Sequence, residues 1–369
     1  MTKKILIVTG GGDCPGLNAV IRGVVKRASS VGGWEVYGSI ESFSGIFQDP
    51  PELRLLTSET VARIHVQGGT ILLTTNKGNP LSLSHVREDG TVETIDRGDE
   101  LVARIRKAGF EGVISIGGDG SQQISRELSK RGLPIIGVPK TIDNDLEGTD
   151  YTFGFQTAVQ TATDAIDRLV TTAESHNRVM IVEVMGRGAG WIALHAALSG
   201  GAEVCLIPEI PYDIKVVKAR IEKRFAAKRG YSIVVVAEGA HPINGSITTI
   251  GSAEVGRNVV RLGGVAYALS QQLKDAGLEA DIRETVLGHL LRGGSPIAFD
   301  RILGTQFGVH AFDLAAAGSF GRLVSYKGTS VTDIPFSDAL DRSKLISQDH
   351  QLLQTARGIG ISFGDREVD

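Results

Sequence analysis

Three aspartates stand where a polar edge follows an apolar run, and that placement is the first sign of chemistry in this chain. Asp143 and Asp145 belong to Pro139-Lys140-Thr141-Ile142-Asp143-Asn144-Asp145, directly after Leu133-Pro134-Ile135-Ile136-Gly137-Val138. Asp119 lies in Gly117-Gly118-Asp119-Gly120-Ser121, after Val113-Ile114-Ser115-Ile116. In open α/β sheets, ligands bind outside the carboxyl ends of the strands. If the two runs are neighbouring strands, three carboxylates and a glycine turn share one crevice, a setting for metal-bound phosphate chemistry. Thr141, Asp143 and Asp145 alternate along what reads as an extended segment, so their side chains are expected to face one way. That spacing suits one carboxylate as general base and another near a metal; an Asx-rich turn closing a strand is the plainer alternative.

The glycines around Asp119 let a backbone approach phosphates, and the helix start that follows favours an anion. A carboxylate among them makes sense when magnesium accompanies the phosphates. The plainer reading is a helix start capped by Asp119 or Ser121. Arg187, within Met185-Gly186-Arg187-Gly188-Ala189-Gly190, could reach a transferring phosphoryl group. Arg283, His289 and Arg292 fall within ten residues, beside Gly293-Gly294, and suit a phosphate monoester. Scattered surface charge is the competing account. The turn Gly10-Gly11-Gly12-Asp13-Cys14-Pro15-Gly16 approximates a dinucleotide fingerprint, with Glu35 at about the distance for a ribose. Its sixth position, however, is Pro15, and Asp13 would face the pyrophosphate. No G-x-x-x-x-G-K-[ST] sequence occurs in the chain.

The elements that must position these groups follow from periodicity. Ile5-Leu6-Ile7-Val8 reads as a strand covered on both faces, followed by a helix with Leu17, Val20, Ile21, Val24, Val25 and Ala28 on one side. Residues 34–40 and 67–77 are further strand candidates, and a helix is expected near 57–65. Leu101, Val102, Ile105 and Ala108 mark a helix, as do Ala158, Ala162, Ala165, Ile166 and Leu169. Strands are expected at 179–184 and 233–237, helices at 191–198, 259–273 and 297–316, and a short hairpin with a polar helix in the last fifty residues. Strands and helices alternate, so the class is α/β with mainly parallel sheets.

The chain has 369 residues, enough for two domains, with 41% hydrophobic and 22% charged residues. A net charge of −3 gives no argument for nucleic acid or an anionic membrane as partner. The two cysteines, Cys14 and Cys205, fit neither a disulfide framework nor a zinc site. No run has the length of a membrane-spanning helix, and the start lacks the apolar stretch of a secretory signal. A cytoplasmic location is expected.

In order and over nearly its whole length, the chain resembles the phosphofructokinase family. The resemblance rests on residues 11–18, Gly118-Asp119-Gly120-Ser121, residues 139–145, Met185-Gly186-Arg187, and Leu287-Gly288-His289 through Arg292-Gly293-Gly294-Ser295-Pro296. It implies two similar three-layer α/β domains: residues 1–154 plus about 291–335 for the phosphoryl donor, and 155–290 plus about 336–369 for the sugar phosphate. It implies phosphoryl transfer from ATP with Mg2+ to the 1-hydroxyl of fructose 6-phosphate, a step of glycolysis. Asp143 would be the general base, Asp119 the magnesium-side carboxylate and Asp145 its support. Gly12, Lys140 and Thr141 would lie at the transferring group, with Arg187 stabilising its charge. Met185, Gly186, Glu238, His289 and Arg292 match the sugar-phosphate pocket. Arg178 and Arg283 match arginines contributed by a neighbouring subunit, which implies a homotetramer. Gly118, Gly120, Ser121, Phe43, Asn76 and Lys77 match the donor site, with Phe43 where an aromatic stacks on adenine and Lys77 beside Asn76, where relatives carry Arg.

Two positions bear on the donor. Pyrophosphate-dependent members carry Asp in place of Gly120 and Lys at position 140, so this chain's Gly120 and Lys140 point in different directions. Gly120 weighs more, because a lysine does not block a nucleotide; ADP and pyrophosphate are the alternatives. Arg22 matches an arginine of the bacterial effector site of this allosteric family, but Ser58 and Val170 replace two others. An oxidoreductase using Gly10, Gly12 and Glu35 would leave the three aspartates idle. A catalytically silent regulatory subunit is opposed by the intact Asp119, Thr141, Asp143 and Arg187.

Overall fold

The computed structural model describes residues 2–87, 91–227, 230–249, 262–339 and 342–366. The start of the helix expected at 259–273 lies outside the described residues. Contacts divide the chain into two compact units, one of Met1–Ile142, Leu146–Gln156 and Arg292–Arg342, the other of Asp143–Asp145, Thr157–Leu291 and Ser343–Asp369.

The first unit opens with β1 (Lys3–Gly10), α1 (Leu17–Val31), β2 (Trp34–Ser39), α2 (Ser44–Phe47) and β3 (Leu53–Leu56). A small hairpin of β4 (Leu83–Val86) and β5 (Val92–Ile95) precedes α3 (Gly98–Lys107), β6 (Gly112–Gly117), α4 (Asp119–Lys130), β7 (Ile135–Thr141) and β8 (Phe153–Gly154). From Thr157 on, α5 (Phe155–His176) belongs to the second unit, with β9 (Arg178–Val184), α6 (Trp191–Gly200), β10 (Val204–Leu206), α7 (Ile214–Ala226), β11 (Ser232–Ala237), α8 (Val265–Asp275) and β12 (Asp281–Val286). The chain then returns to the first unit as α9 (Ala298–Ala316), β13 (Arg322–Lys327) and β14 (Ser330–Pro335), and to the second as α10 (Gln351–Gly358).

The first sheet runs β14-β13-β7-β6-β1-β2-β3, with β8 beside β7. Its interior strands are parallel; β3 and β14 are antiparallel edges. From β1 the chain moves to β2 on one side and later to β6 on the other. The β1/β6 boundary is therefore a topological switch point, where parting loops leave a crevice. β6 and β7 are neighbours, as expected, with Gly117 opposite Pro139. The apolar runs are fully covered: Ile5, Leu6, Ile7, Val113, Ile114, Ile116, Ile135 and Ile136 have no exposed surface. Leu101, Ile105 and Leu128 cover one face. On α1 and α9 glycines set the closest approach: a Cβ on Gly308 would lie 2.2 Å from the Val20 carbonyl. That packing ties the returning segment to the N-terminal unit.

The second sheet is parallel throughout, in the order β10-β11-β9-β12. Val179, Ile181, Val234 and Val236 meet Leu269 and Leu273 of α8 in its core. Among the described residues no helix is long and apolar enough to cross a membrane.

Three expectations fail for local reasons. Residues 67–77 form a loop, because Gly69 (φ 63°) and Leu73 (φ 56°) are left-handed, which breaks an extended run. Residues 58–61 form a turn and 62–63 a bend, followed by a short 3-10 turn, Ile64–Val66; Thr57 and Thr60 bond each other's backbone N–H at 3.3 and 2.8 Å in place of a helix. The alternation of Thr141, Asp143 and Asp145 does not persist, because β7 ends at Thr141 and Asn144 turns left-handed at φ 52°.

Candidate active site

In the first unit the site is built at the switch point. β1 delivers the Gly10–Gly16 turn and β6 delivers Gly117 and Gly118. Gly118 is the N-cap of α4 and supplies no capping side chain, and neither Asp119 nor Ser121 takes that place. The first N–H groups of α4 thus lie at a positive helix end without a side-chain cap. Asp119 and Gly120 are exposed, and Asp119 Oδ2 accepts from Gln123 Nε2 at 2.8 Å. A Cβ added to Gly120 meets no atom within 4 Å.

Lys140 joins these pieces. Only 3% exposed, it reaches from the end of β7 and donates its ammonium to the Gly12 carbonyl. Arg292 stands on the same turn, its guanidinium donating to the Asp13 carbonyl at 3.3 Å, and a Cβ on Gly12 would lie 2.9 Å from it. Thr141 is held through its carbonyl, which accepts from Thr152 Oγ1 at 2.7 Å. The loop carrying Asn76 and Lys77 is pinned to this turn. Thr74 Oγ1 donates to the Gly11 carbonyl at 2.6 Å, and Gly11 N–H donates to the Thr75 carbonyl at 3.1 Å. Asn76 and Lys77 are exposed. Neither threonine was singled out by sequence pattern. Asn18, buried on α1, grips the same loop through the Gln67 and Gly68 carbonyls and the Ile71 N–H, at 3.0 to 3.3 Å.

Phe43 lies deep in the first unit. It is 5% exposed and packs in the first unit's core with Ile46 and Leu101, leaving little ring surface for a base to stack on. Cys14 is fully buried beneath the turn, and burial pushes its thiol up to about 12, so it stays protonated.

The second unit gathers its groups at the carboxyl edge of β9, β11 and β12. Met185, Gly186 and Arg187 follow β9, and Glu238 follows β11, paired with it through Ala237 and Val184. Glu238 N–H donates to the Val184 carbonyl at 2.9 Å, and Gly239 N–H to the Gly186 carbonyl at 3.1 Å. Gly186 has φ 141°, a conformation that strains any side chain. Met185 is buried; Arg187 and His289, the latter in a 3-10 turn after β12, are exposed. Asp143 and Asp145 belong to this unit and are half-buried, with the Asp145 carbonyl accepting from Lys344 N–H at 2.8 Å.

Arg178 and Arg283 are not part of that cluster. Arg178 begins β9 and Arg283 lies opposite Met180, roughly 20 Å and 10 Å from the carboxyl ends of their strands at ~3.3 Å per residue. Both hold Asp281: Arg178 Nε reaches Oδ2 and an Arg283 guanidinium nitrogen reaches Oδ1, each at 2.6 Å. The Arg178 hydrogen bond foremost holds the Asp281 carboxyl below its usual range.

For magnesium the donor chemistry of Asp119 fits: it offers hard carboxylate oxygens, of a kind Mg2+ takes in small number while keeping waters and substrate phosphates. Asp119 is open to solvent at the helix start where phosphates would sit.

Residues 4–315 match the family model described as Phosphofructokinase. The chain belongs to the phosphofructokinase family. Over 363 residues it is 48% identical to the ATP-dependent 6-phosphofructokinase of Chloroflexus aggregans, covering 98% of each chain. It is also 44% identical over 344 residues to the pyrophosphate–fructose 6-phosphate 1-phosphotransferase of Amycolatopsis methanolica, covering 93% of this chain and 96% of that one. Among solved structures, the phosphofructokinase of Saccharomyces cerevisiae superposes with a TM-score of 0.74 at 27% identity over 91% of this chain. The chain spans 45% of that longer protein. In this phosphofructokinase the glycine turns lie at the β1/β6 boundary of the first sheet, and Met185 and Arg187 at the carboxyl edge of the second.

Proposed function

We propose that the chain is an ATP-dependent 6-phosphofructokinase that converts fructose 6-phosphate to fructose 1,6-bisphosphate in glycolysis. The observation that carries the donor is Gly120: exposed in the first turn of α4, with open space where a side chain would project. A nucleotide's phosphates can lie along that turn, against the N–H groups of the helix start. The first unit would hold the donor and the second the sugar phosphate.

In this reading Asp143 takes the proton from the sugar 1-hydroxyl. Asp143 Oδ1 is shielded from solvent, which favours a proton acceptor that bulk water does not exchange with directly. Gly12 and Thr141 contact the transferring phosphoryl group, and Lys140 holds the Gly12 backbone in place. Arg187 balances charge on the equatorial oxygens as the bond to the leaving phosphate breaks. Met185, Gly186, Glu238, His289 and Arg292 orient the sugar phosphate. Asp119 and Asp145 would hold Mg2+, which would neutralise phosphate charge and align the donor. Arg178 and Arg283, remote from their own unit's edge, would serve a second copy's site. A homotetramer with shared sites accommodates them. A cytoplasmic location and allosteric control complete the proposal.

The deciding experiment is one coupled assay with fructose 6-phosphate and ATP, ADP or pyrophosphate in parallel. Turnover with ATP exceeding the other donors is the expected result. Faster turnover with pyrophosphate, the donor named for the Amycolatopsis relative, would overturn the choice of ATP.

A further inference from the structure

Glu209 has no part in the proposed chemistry, yet it is tied to the Arg187 loop. It lies after β10, and burial pushes its carboxyl pKa up. Its Oε1 accepts from Gly190 N–H at 3.0 Å and from Ile346 N–H at 3.1 Å, while Oε2 lies 3.1 Å from the same Gly190 nitrogen. Gly190 ends the loop that carries Met185, Gly186 and Arg187 and is the N-cap of α6. The loop's other end is held where Gly239 N–H meets the Gly186 carbonyl. One tie is thus backbone and the other a half-buried carboxylate.

Ile346 leads to the second half of the connection. Two residues before it, Lys344 donates its N–H to the Asp145 carbonyl at 2.8 Å, and its own carbonyl accepts from the Trp191 indole at 2.8 Å. Trp191 is the first residue of α6. Residues 344–346 thus bond to the Asp143–Asp145 turn, to the start of α6 and to Glu209, all within the second unit.

We propose that Glu209 is a positioning residue for phosphoryl transfer: through Gly190 and the 344–346 strap it fixes the Arg187 loop and the Asp143–Asp145 turn in one frame. This rests on the roles given above to Arg187 and Asp143. Small displacements of such groups matter, because misplacement by ~1 Å costs on the order of 100-fold in rate. Glu209 touches no reacting atom. Its effect runs through the backbone groups it holds.

The test is steady-state kinetics of the full chain, with kcat expressed per folded protein and thermal melts alongside. Glu209→Ala is expected to lower kcat by about tenfold or more while the ATP KM changes by less than about threefold, since the donor contacts proposed above lie, Asp145 apart, in the first unit. Glu209→Gln is expected to recover most of the rate, because one amide oxygen at the Oε1 position can accept both N–H groups. Should Glu209→Ala not fold, Trp191→Phe removes only the indole bond to Lys344 and is expected to lower kcat about threefold or more, with the ATP KM again preserved. A kcat per folded molecule within about twofold of wild type in the variant that folds would overturn the inference, as would a glutamine variant no better than alanine. A wild type inactive with every donor would overturn the proposed activity itself, a result read independently of the variants.

Discussion

Replacing Gly120 by Asp tests the donor argument with little structural confusion. A Cβ at Gly120 meets nothing within 4 Å, so the side chain enters free space. The backbone there is helical, and a carboxylate in the first turn gains roughly 0.3–1 kcal/mol from the helix dipole. The variant should therefore melt at or slightly above the wild-type temperature. Against a phosphate seated on the α4 N-terminus, the new carboxylate stands within about 5 Å. Two unit charges at that separation repel by about 3 kcal/mol at an effective dielectric of ~20, and by about 1 kcal/mol in water. Exposure of residue 120 favours the lower part of that range. The expected loss in kcat/KM for ATP is about 5- to 150-fold, with Asp143 and the sugar pocket untouched. The assay is the coupled reaction with varied ATP at saturating fructose 6-phosphate, beside a thermal melt. Unchanged ATP kinetics in a folded variant would refute the placement of the nucleotide on this turn.

Asp143→Asn should lower kcat by about 100- to 10,000-fold, with fructose 6-phosphate affinity by calorimetry nearly unchanged; wild-type turnover would remove the residue as general base. Cys14 and Cys205 are both fully buried, and burial raises both thiols, Cys14 to about 12. A thiol reagent should therefore label neither in the native protein and both after denaturation, and rapid native labelling would contradict that burial. The pH dependence of stability should carry a contribution from Glu209, whose raised pKa means that the folded protein keeps a proton the unfolded chain has already lost above its ordinary value of 4.5. Its contribution to stability accordingly falls as pH rises from that value through the folded pKa, and is flat above it. Denaturant unfolding across that window should show the slope in wild type and not in Glu209→Gln; parallel profiles would contradict it.

What could be read from the residues depended on how completely the neighbours cover them. β1, β6, β7, β9 and β11 are interior parallel strands, so their apolar runs are continuous and unmistakable. β12 is an edge strand reading Asp281-Ile282-Arg283-Glu284-Thr285-Val286, and its charges disguised it as a stretch of scattered polar groups. The short β3 and β10 offer too few residues for a period to emerge. Phe43 shows the limit from the other side: the family resemblance gives it a stacking role, while its burial depends on Ile46 and Leu101, which no local pattern links to it. Asn144 breaks the alternation of Thr141, Asp143 and Asp145 through a left-handed backbone, for which an asparagine is a hint and no more. The strap at 344–346 was invisible because its bonds to Asp145, Trp191 and Glu209 use mostly backbone groups, which every residue possesses.

The same distinction resolves the apparent conflict between Lys140 and Gly120. As letters in a motif they count equally, one on each side of the donor question. In the fold they differ in what they touch. Lys140 is almost wholly buried, and its ammonium is taken by the Gly12 carbonyl, so its charge ties the end of β7 to the turn between β1 and α1. Gly120 is exposed and faces open space at a helix start that no side chain caps. A residue that braces the scaffold is compatible with either donor, whereas a residue bordering the space for the donor's phosphates discriminates by its bulk and charge. The weight therefore rests on position 120, and there the absence of a side chain leaves room for a nucleotide.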